Sequence, residues 1–269
     1  MLPDVRTLAS GNYWSREDAA KRTDCPASII KRLLGDDHFD VRAAAIAHHR
    51  APIAKLRTIL NPPSLADHDR ESLFPFALTN PKMTTALIDE TITRALNDRT
   101  STKLLSEKRL FELYRHPLVS PTLLSQGINA RNGKWALSIA ANPALTVMMA
   151  RRLLLNGSYH VRIKVLGNLN VQMTVLSEKE WDRENSPEVL KLAAMRLDGE
   201  PEQRMINRLY ILGGCGDWSG RFIAQSTTNP LHLTRLCSDP KAVVRRAAAE
   251  NPAASESDRV MAALLDLAR

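Results

Sequence analysis

VRRAAAENPAASESDRVMAALLD, residues 244–266, is the stretch on which the fold turns. It opens with an alanine-rich run, and alanine is the strongest helix former. The run ends at Asn251-Pro252. A residue before proline is pushed out of the helical region, while proline itself suits the first turn of a new helix. The second half, SDRVMAALLD, places apolar side chains three and four apart, the spacing of an amphipathic helix. The stretch therefore reads helix, Asn-Pro turn, helix, with one apolar face to bury.

The same grammar recurs outward along the chain, as a search for internal repeats should establish before any other reading. Asn-Pro returns at Asn80-Pro81, Asn142-Pro143 and Asn229-Pro230, with the variant His116-Pro117, each after an Ala- or Leu-bearing run such as WALSIAANP or LFPFALTNP. Val-Arg lies seven and six residues before the turn: Val41-Arg42 before His48, Val161-Arg162 before Asn168, Val244-Arg245 before Asn251. Together they give anchors at Asp24, His48, Asn80, His116, Asn142, Asn168, Arg196, Asn229 and Asn251, spaced 24, 32, 36, 26, 26, 28, 33 and 22 residues. Arg196 is chosen partly because it fills a gap. Twelve residues upstream stand Asn12, Asp36, Asn156, Glu184, Asp217 and Asp239, short polar or acidic side chains suited to a helix N-cap or the turn before one. After the anchors come amphipathic blocks such as ASIIKRLLGDD and TVMMARRLLLN.

A lone helix pair cannot bury its apolar face, so consecutive pairs stack and the core runs along the stack. The expected fold is all-α, an α-solenoid of about nine stacked helix pairs forming a single domain over 1–269. The long spacings predict an insertion near 89–109, an extra helix or long loop, and the closing LLDLAR is expected to cap the stack.

VRRAAAENPAASESDRVMAALLD, with DVRAAAIAHHRAPIAKLRTIL (40–60) as a looser copy, resembles the leucine-rich repeat variant family of bacteria, a HEAT-like group. Four units carry the likeness well. Units 69–90 and 107–125 keep the Pro turn without Val-Arg, and 186–200 keeps neither cleanly. The resemblance implies a right-handed solenoid alternating α-helices with shorter α- or 3₁₀-helices, and a surface for binding in place of an activity. A founding member of that family carries an N-terminal iron–sulfur cluster on clustered cysteines. Only Cys25 stands in that region here, so the likeness does not extend to a cluster.

Composition agrees. The chain has 269 residues, 44% hydrophobic, 25% charged and only 5% aromatic, too apolar for disorder and too poor in aromatics for a β-sandwich or barrel. No run approaches the roughly 18 apolar residues of a membrane span, and MLPDVRTLASGNYW lacks the basic and apolar blocks of a signal peptide, so a cytoplasmic protein is expected. Cys25, Cys215 and Cys237 are few, scattered and odd in number, against a disulfide scaffold or a Cys-only zinc site. Seven histidines include His48-His49, but sequence neighbours on a helix point apart, and neither HExxH nor CxxC occurs, so no metal or cofactor is expected. Arg42, Arg162 and Arg245 are expected to form an Asp–Arg ladder with acids such as Asp36 and Asp239, and the anchor asparagines to satisfy backbone groups at the turns. GGCGDWSG (213–220) has no Gly-Lys-Ser/Thr and is expected to be a flexible loop between repeats.

Charge is the functional clue. The net charge is +8, and residues 99–164 hold eleven Lys/Arg against two acids, Glu107 and Glu112. From this window come the candidate partner-binding residues Lys108, Arg109, Arg115, Arg131, Lys134, Arg151 and Arg152, facing a protein or another acidic macromolecule. The expected function is a non-catalytic scaffold or adaptor that binds another protein. The alternative is DNA-backbone binding through the basic stretch, with a HEAT-like DNA glycosylase as a minor subcase; Trp135 beside Lys134 is the only nearby Trp and reads as core.

Overall fold

The structure is a computed structural model that describes residues 4–61, 68–97, 106–129, 133–212 and 217–267. Among the described residues it is all-helical, 69% helix with no strand. The chain forms two compact units, Met1–Ala144 and Leu145–Arg269.

In the first unit the order is α1 (Val5–Ala9), α2 (Tyr13–Lys21), α3 (Ala27–Leu33), α4 (Phe39–Ala47), α5 (Ile53–Leu60), α6 (His68–Leu78), α7 (Thr85–Asn97), α8 (Glu107–Arg115), α9 (Pro121–Asn129) and α10 (Ala136–Ala140). The anchors stand one to three residues past a first helix, as His48 does one after α4 and Asn80 two after α6. First helices pack on first helices, α2 on α4, α4 on α6, and α8 on α10. In the second unit α11 (Val147–Asn156) and α12 (Tyr159–Leu166) are followed by a 3₁₀ turn (Met173–Val175), α13 (Glu178–Trp181), α14 (Pro187–Ala194), α15 (Glu200–Ile211), α16 (Asp217–Ser226), α17 (Pro230–Cys237), α18 (Ala242–Glu250) and α19 (Glu256–Leu267). There α12 packs on α14, α16 on α18, and α17 on α19.

The buried face of each first helix follows from its spacing. Val41 and Ala45, Val161 and Val165, Val189 and Ala193, and Val244 and Ala248 sit four apart on one side and are buried. Close approach of helices is built on small residues. A Cβ at Gly127 in α9 would lie 2.7 Å from Ile139 Cδ1 in α10 and 2.9 Å from Tyr114 Cε1 in α8, so any other residue there forces one of these side chains to shift.

Two expectations about connections take a different local form. Of the insertion near 89–109, residues 89–97 complete the 13-residue α7, 98–105 lie outside the described residues, and 107–109 open α8. In the glycine-rich stretch, 213–216 lie outside the described residues, and from Asp217 the backbone is already α16. Gly220 is there a packing residue: a Cβ would meet Val244 Cγ2 of α18 at 3.0 Å. Of the closing LLDLAR, 264–267 form the last turn of α19 and 268–269 lie outside the described residues; Asp266 accepts from Arg246 Nε at 2.7 Å and Arg245 Nε at 3.0 Å.

Candidate functional site

Most of the polar residues that the repeat pattern singles out stitch one helix pair to the one before it. The Nδ2 amide of Asn80 donates to the carbonyls of Ile46 (2.7 Å) and His48 (2.8 Å), and that of Asn142 to Tyr114 (2.8 Å) and His116 (2.9 Å). The same position filled by histidine behaves alike: His48 Nε2 meets the Arg22 carbonyl at 2.9 Å and His116 Nε2 the Leu78 carbonyl at 3.2 Å. In every case one acceptor lies two residues before the previous anchor. The other end of each side chain accepts the backbone N–H two residues on, from Arg50, Lys82, Leu118 and Ala144. Because Nδ1 of both histidines accepts an N–H, Nε2 must carry the ring proton, so these rings are neutral. Burial pushes both imidazoles below their ordinary value.

In the second unit Arg196, the anchor chosen partly to fill a gap, does the same work with a guanidinium. It donates to the carbonyls of Leu166 (2.6 Å), Asn168 (3.2 Å) and Val171 (2.6 Å). Asn251 donates to Ala224 (2.8 Å) and Thr227 (2.9 Å) and accepts from Ala253 (2.9 Å). By this geometry Thr227, fully buried, holds the anchor position, and Asn229 does not. Asn229 instead caps α17, its side chain accepting from the Leu231 N–H at 3.0 Å.

The Val-Arg arginines also act inward. Arg42 donates to the Asp36 and Asp37 carbonyls (2.6 and 2.9 Å), and Arg245 to those of Asp239 and Pro240 (2.7 and 3.1 Å), so they hold the turn before their own helix by its carbonyls, and Arg245 also pairs with the Asp266 carboxylate. Carboxylate–arginine pairs also form, each across neighbouring helix pairs. Asp36 is held by Arg16 at 2.6 and 2.9 Å, which keeps its carboxyl below the usual range, and Glu184 pairs with Arg162 at 3.1 Å. Asp36, Glu184 and Asp239 also accept the N–H two residues on, from His38, Ser186 and Lys241, which makes them turn residues just before a helix; Asn12 caps α2 directly. Asn156 differs, being the last residue of α11.

The seven basic candidates fall into two groups, and Arg131 lies outside the described residues. Arg109 is only 7% exposed because it occupies the slot seven before His116 that Val fills elsewhere. Its guanidinium pairs with Glu112 at 2.7 Å, donates to the Glu71 carbonyl and lies 5.1 Å over the Phe74 ring. Lys134 pairs with Glu107, and Arg151 with Glu180 at 2.5 Å. Glu180 is held at about 2 by the Ser177 backbone N–H first, then by Arg151 and the Ser177 hydroxyl. Lys108, Arg115 and Arg152 are exposed, and no ion pair is seen for them among the described residues. The acid missing from residues 99–164 is thus partly supplied from outside, by Glu180 and Glu184. Lys108, Arg109, Arg115 and Lys134 belong to the first unit, Arg151 and Arg152 to the second. Trp135 is buried against Phe111 and Tyr114 as expected for core.

The feature that sequence reasoning missed is a groove in the first unit. It has a volume of about 470 Å³ and is formed by α2, α4 and α6. Ala20, Ala43, Ala44 and Ala47 form its floor, and Phe76, 37% exposed, its aromatic edge. Glu17, Lys21, Asp40 and His48 line the remainder, with Lys21 paired to Glu17 at 2.5 Å. The signal was present in FDVRAAAIA: besides its buried alanines, the run carries two, Ala44 and Ala47, that stay partly open to solvent three residues apart on one face of α4.

Other chemistry is not assembled in the described part of the chain. Among the described residues no group of three or more His, Cys, Asp or Glu side chains could hold a metal ion, and no helix is long and apolar enough to cross a membrane. Cys25 and Cys237 are buried, and burial pushes both thiols up, away from reactivity. Comparison with protein families, with curated proteins and with solved structures returns no match for this chain.

Proposed function

We propose that this chain is a non-catalytic scaffold that binds a segment of another protein in the groove of α2, α4 and α6. The stacked helix pairs are read as a right-handed α-solenoid of about nine repeats similar to the leucine-rich repeat variants, and the protein is read as cytoplasmic. The observation that carries the reading is the groove itself: about 470 Å³, within the usual range of ligand sites, floored by small side chains and edged by an exposed phenylalanine. Protein binding is favoured over nucleic acid because Arg109, Lys134 and Arg151 already hold carboxylates.

Filling the groove tests the reading. Ala44→Phe places a ring over the floor from a partly open position, so the fold is retained. Affinity capture by the wild-type chain should recover a protein that Ala44→Phe loses and that Leu137→Ser, on exposed surface away from the groove, retains. Equal capture by all three would overturn the assignment of the groove. Binding to duplex DNA at low salt with a steep salt dependence would favour the phosphate-binding reading instead.

A further inference from the structure

The groove is charged against the sign of the whole chain. The chain carries a net +8, yet the ammonium of Lys21 sits in the field of three carboxylates, Glu17, Asp18 and Asp40. Lys21 is committed to Glu17. Asp40 lines the groove from the first turn of α4 with its side chain 55% exposed, and its only described partner is the His38 ring at 3.6 Å, an ion pair only when that ring is protonated. Asp18 is exposed on α2. Beside this unbalanced negative charge lie Ala44 and Ala47, partly open to solvent, and Phe76, 37% exposed.

A ligand that satisfies both features carries a cation and a bulky apolar group close together. We propose that the groove takes a basic, apolar peptide segment of the partner, with a Lys or Arg side chain drawn to Asp40 and a neighbouring Leu or Phe side chain lying on Ala44, Ala47 and Phe76. An anionic segment is repelled by the same carboxylates. Phosphate is excluded on the same ground, which separates this surface from the exposed cations Lys108 and Arg115 on α8. The proposal rests on the reading of the groove as a binding surface and adds to it the charge of the occupant.

Full-length protein labelled with ¹³C in its alanine methyl groups makes the floor visible. Three capped peptides serve as probes, Gly-Leu-Lys-Phe-Lys-Gly and the versions with Gln or Glu in place of both lysines. The Lys peptide should shift the Ala43, Ala44 and Ala47 methyl signals at concentrations about three- to fivefold lower than the Gln peptide, with the Glu peptide weakest. Raising salt should shrink that difference. Asp40→Asn, at an exposed side chain, should remove the advantage of Lys over Gln and leave the Gln peptide unchanged. Equal shifts from all three peptides would overturn the charge selectivity while leaving a binding groove. No shift from any of them would overturn the binding surface as well.

Discussion

Replacing Asn142 with leucine removes a side chain of the same size whose amide joins the turn after α10 to the end of α8 and whose oxygen holds that turn together. Asn142 is fully buried. Its amide donates to Tyr114 (2.8 Å) and His116 (2.9 Å) and its oxygen accepts from Ala144 at 2.7 Å. The His116 carbonyl keeps another donor, the Val119 N–H at 3.2 Å, whereas the Tyr114 carbonyl and the Ala144 N–H have no other described partner. A buried polar group left unpaired costs about 1–3 kcal/mol. Two such groups, less the apolar gain of leucine, give a loss of about 3 kcal/mol. Asn142→His supplies the bonds that His116 makes in the same position and should cost about 1 kcal/mol. Urea unfolding followed by circular dichroism at pH 7.5, with slopes compared to confirm a common transition, measures both. A loss below about 1 kcal/mol for the leucine variant, or equal losses for both variants, would refute the reasoning.

Acid should weaken the first unit through His48 and His116. Both fold neutral with lowered pKa, so below the unfolded value of about 6.5 the unfolded chain binds more protons, and stability present above that value is lost as pH falls through the folded values. The urea midpoint should drop between neutral pH and pH 5, and the drop should shrink when both residues are replaced by asparagine. Gly127→Ala should destabilise by about 1–3 kcal/mol because its Cβ meets Ile139 and Tyr114 inside contact distance, read as a lower Tm. Arg151→Gln should raise the Glu180 carboxyl above its value of about 2 without restoring an ordinary carboxylate, since the Ser177 N–H still donates to it; a carboxyl ¹³C titration reads this.

How far the sequence led depends on whether the signal was local. The helix, turn, helix unit was legible because proline, alanine runs and amphipathic spacing act within a few residues, and the helices end at Ala47, Arg115 and Glu250 as the turns at 48, 116 and 251 require. Asn229 misled because Asn-Pro also makes a good helix start; its cap bond to Leu231 is local, while the next anchor, Asn251, donates to the Thr227 carbonyl two residues away. Arg109 looked like surface because a charged letter does not reveal that it stands in a buried valine slot, with Phe74 and the Glu71 carbonyl as lining. The basic window looked unopposed because Glu180 and Glu184 reach it only through packing. The groove depends on α2, α4 and α6 meeting, which no single segment encodes.

Within each unit, anchor side chains, and not chain spacing alone, lock a helix pair to the one before. Hydrogen exchange of asparagine side-chain amides in ¹⁵N-labelled protein tests it most directly. The Nδ2 protons of Asn80, Asn142 and Asn251 should exchange at least about a hundredfold more slowly than those of the exposed Asn97 and Asn170. Exchange of all five at the same solvent-limited rate would contradict it.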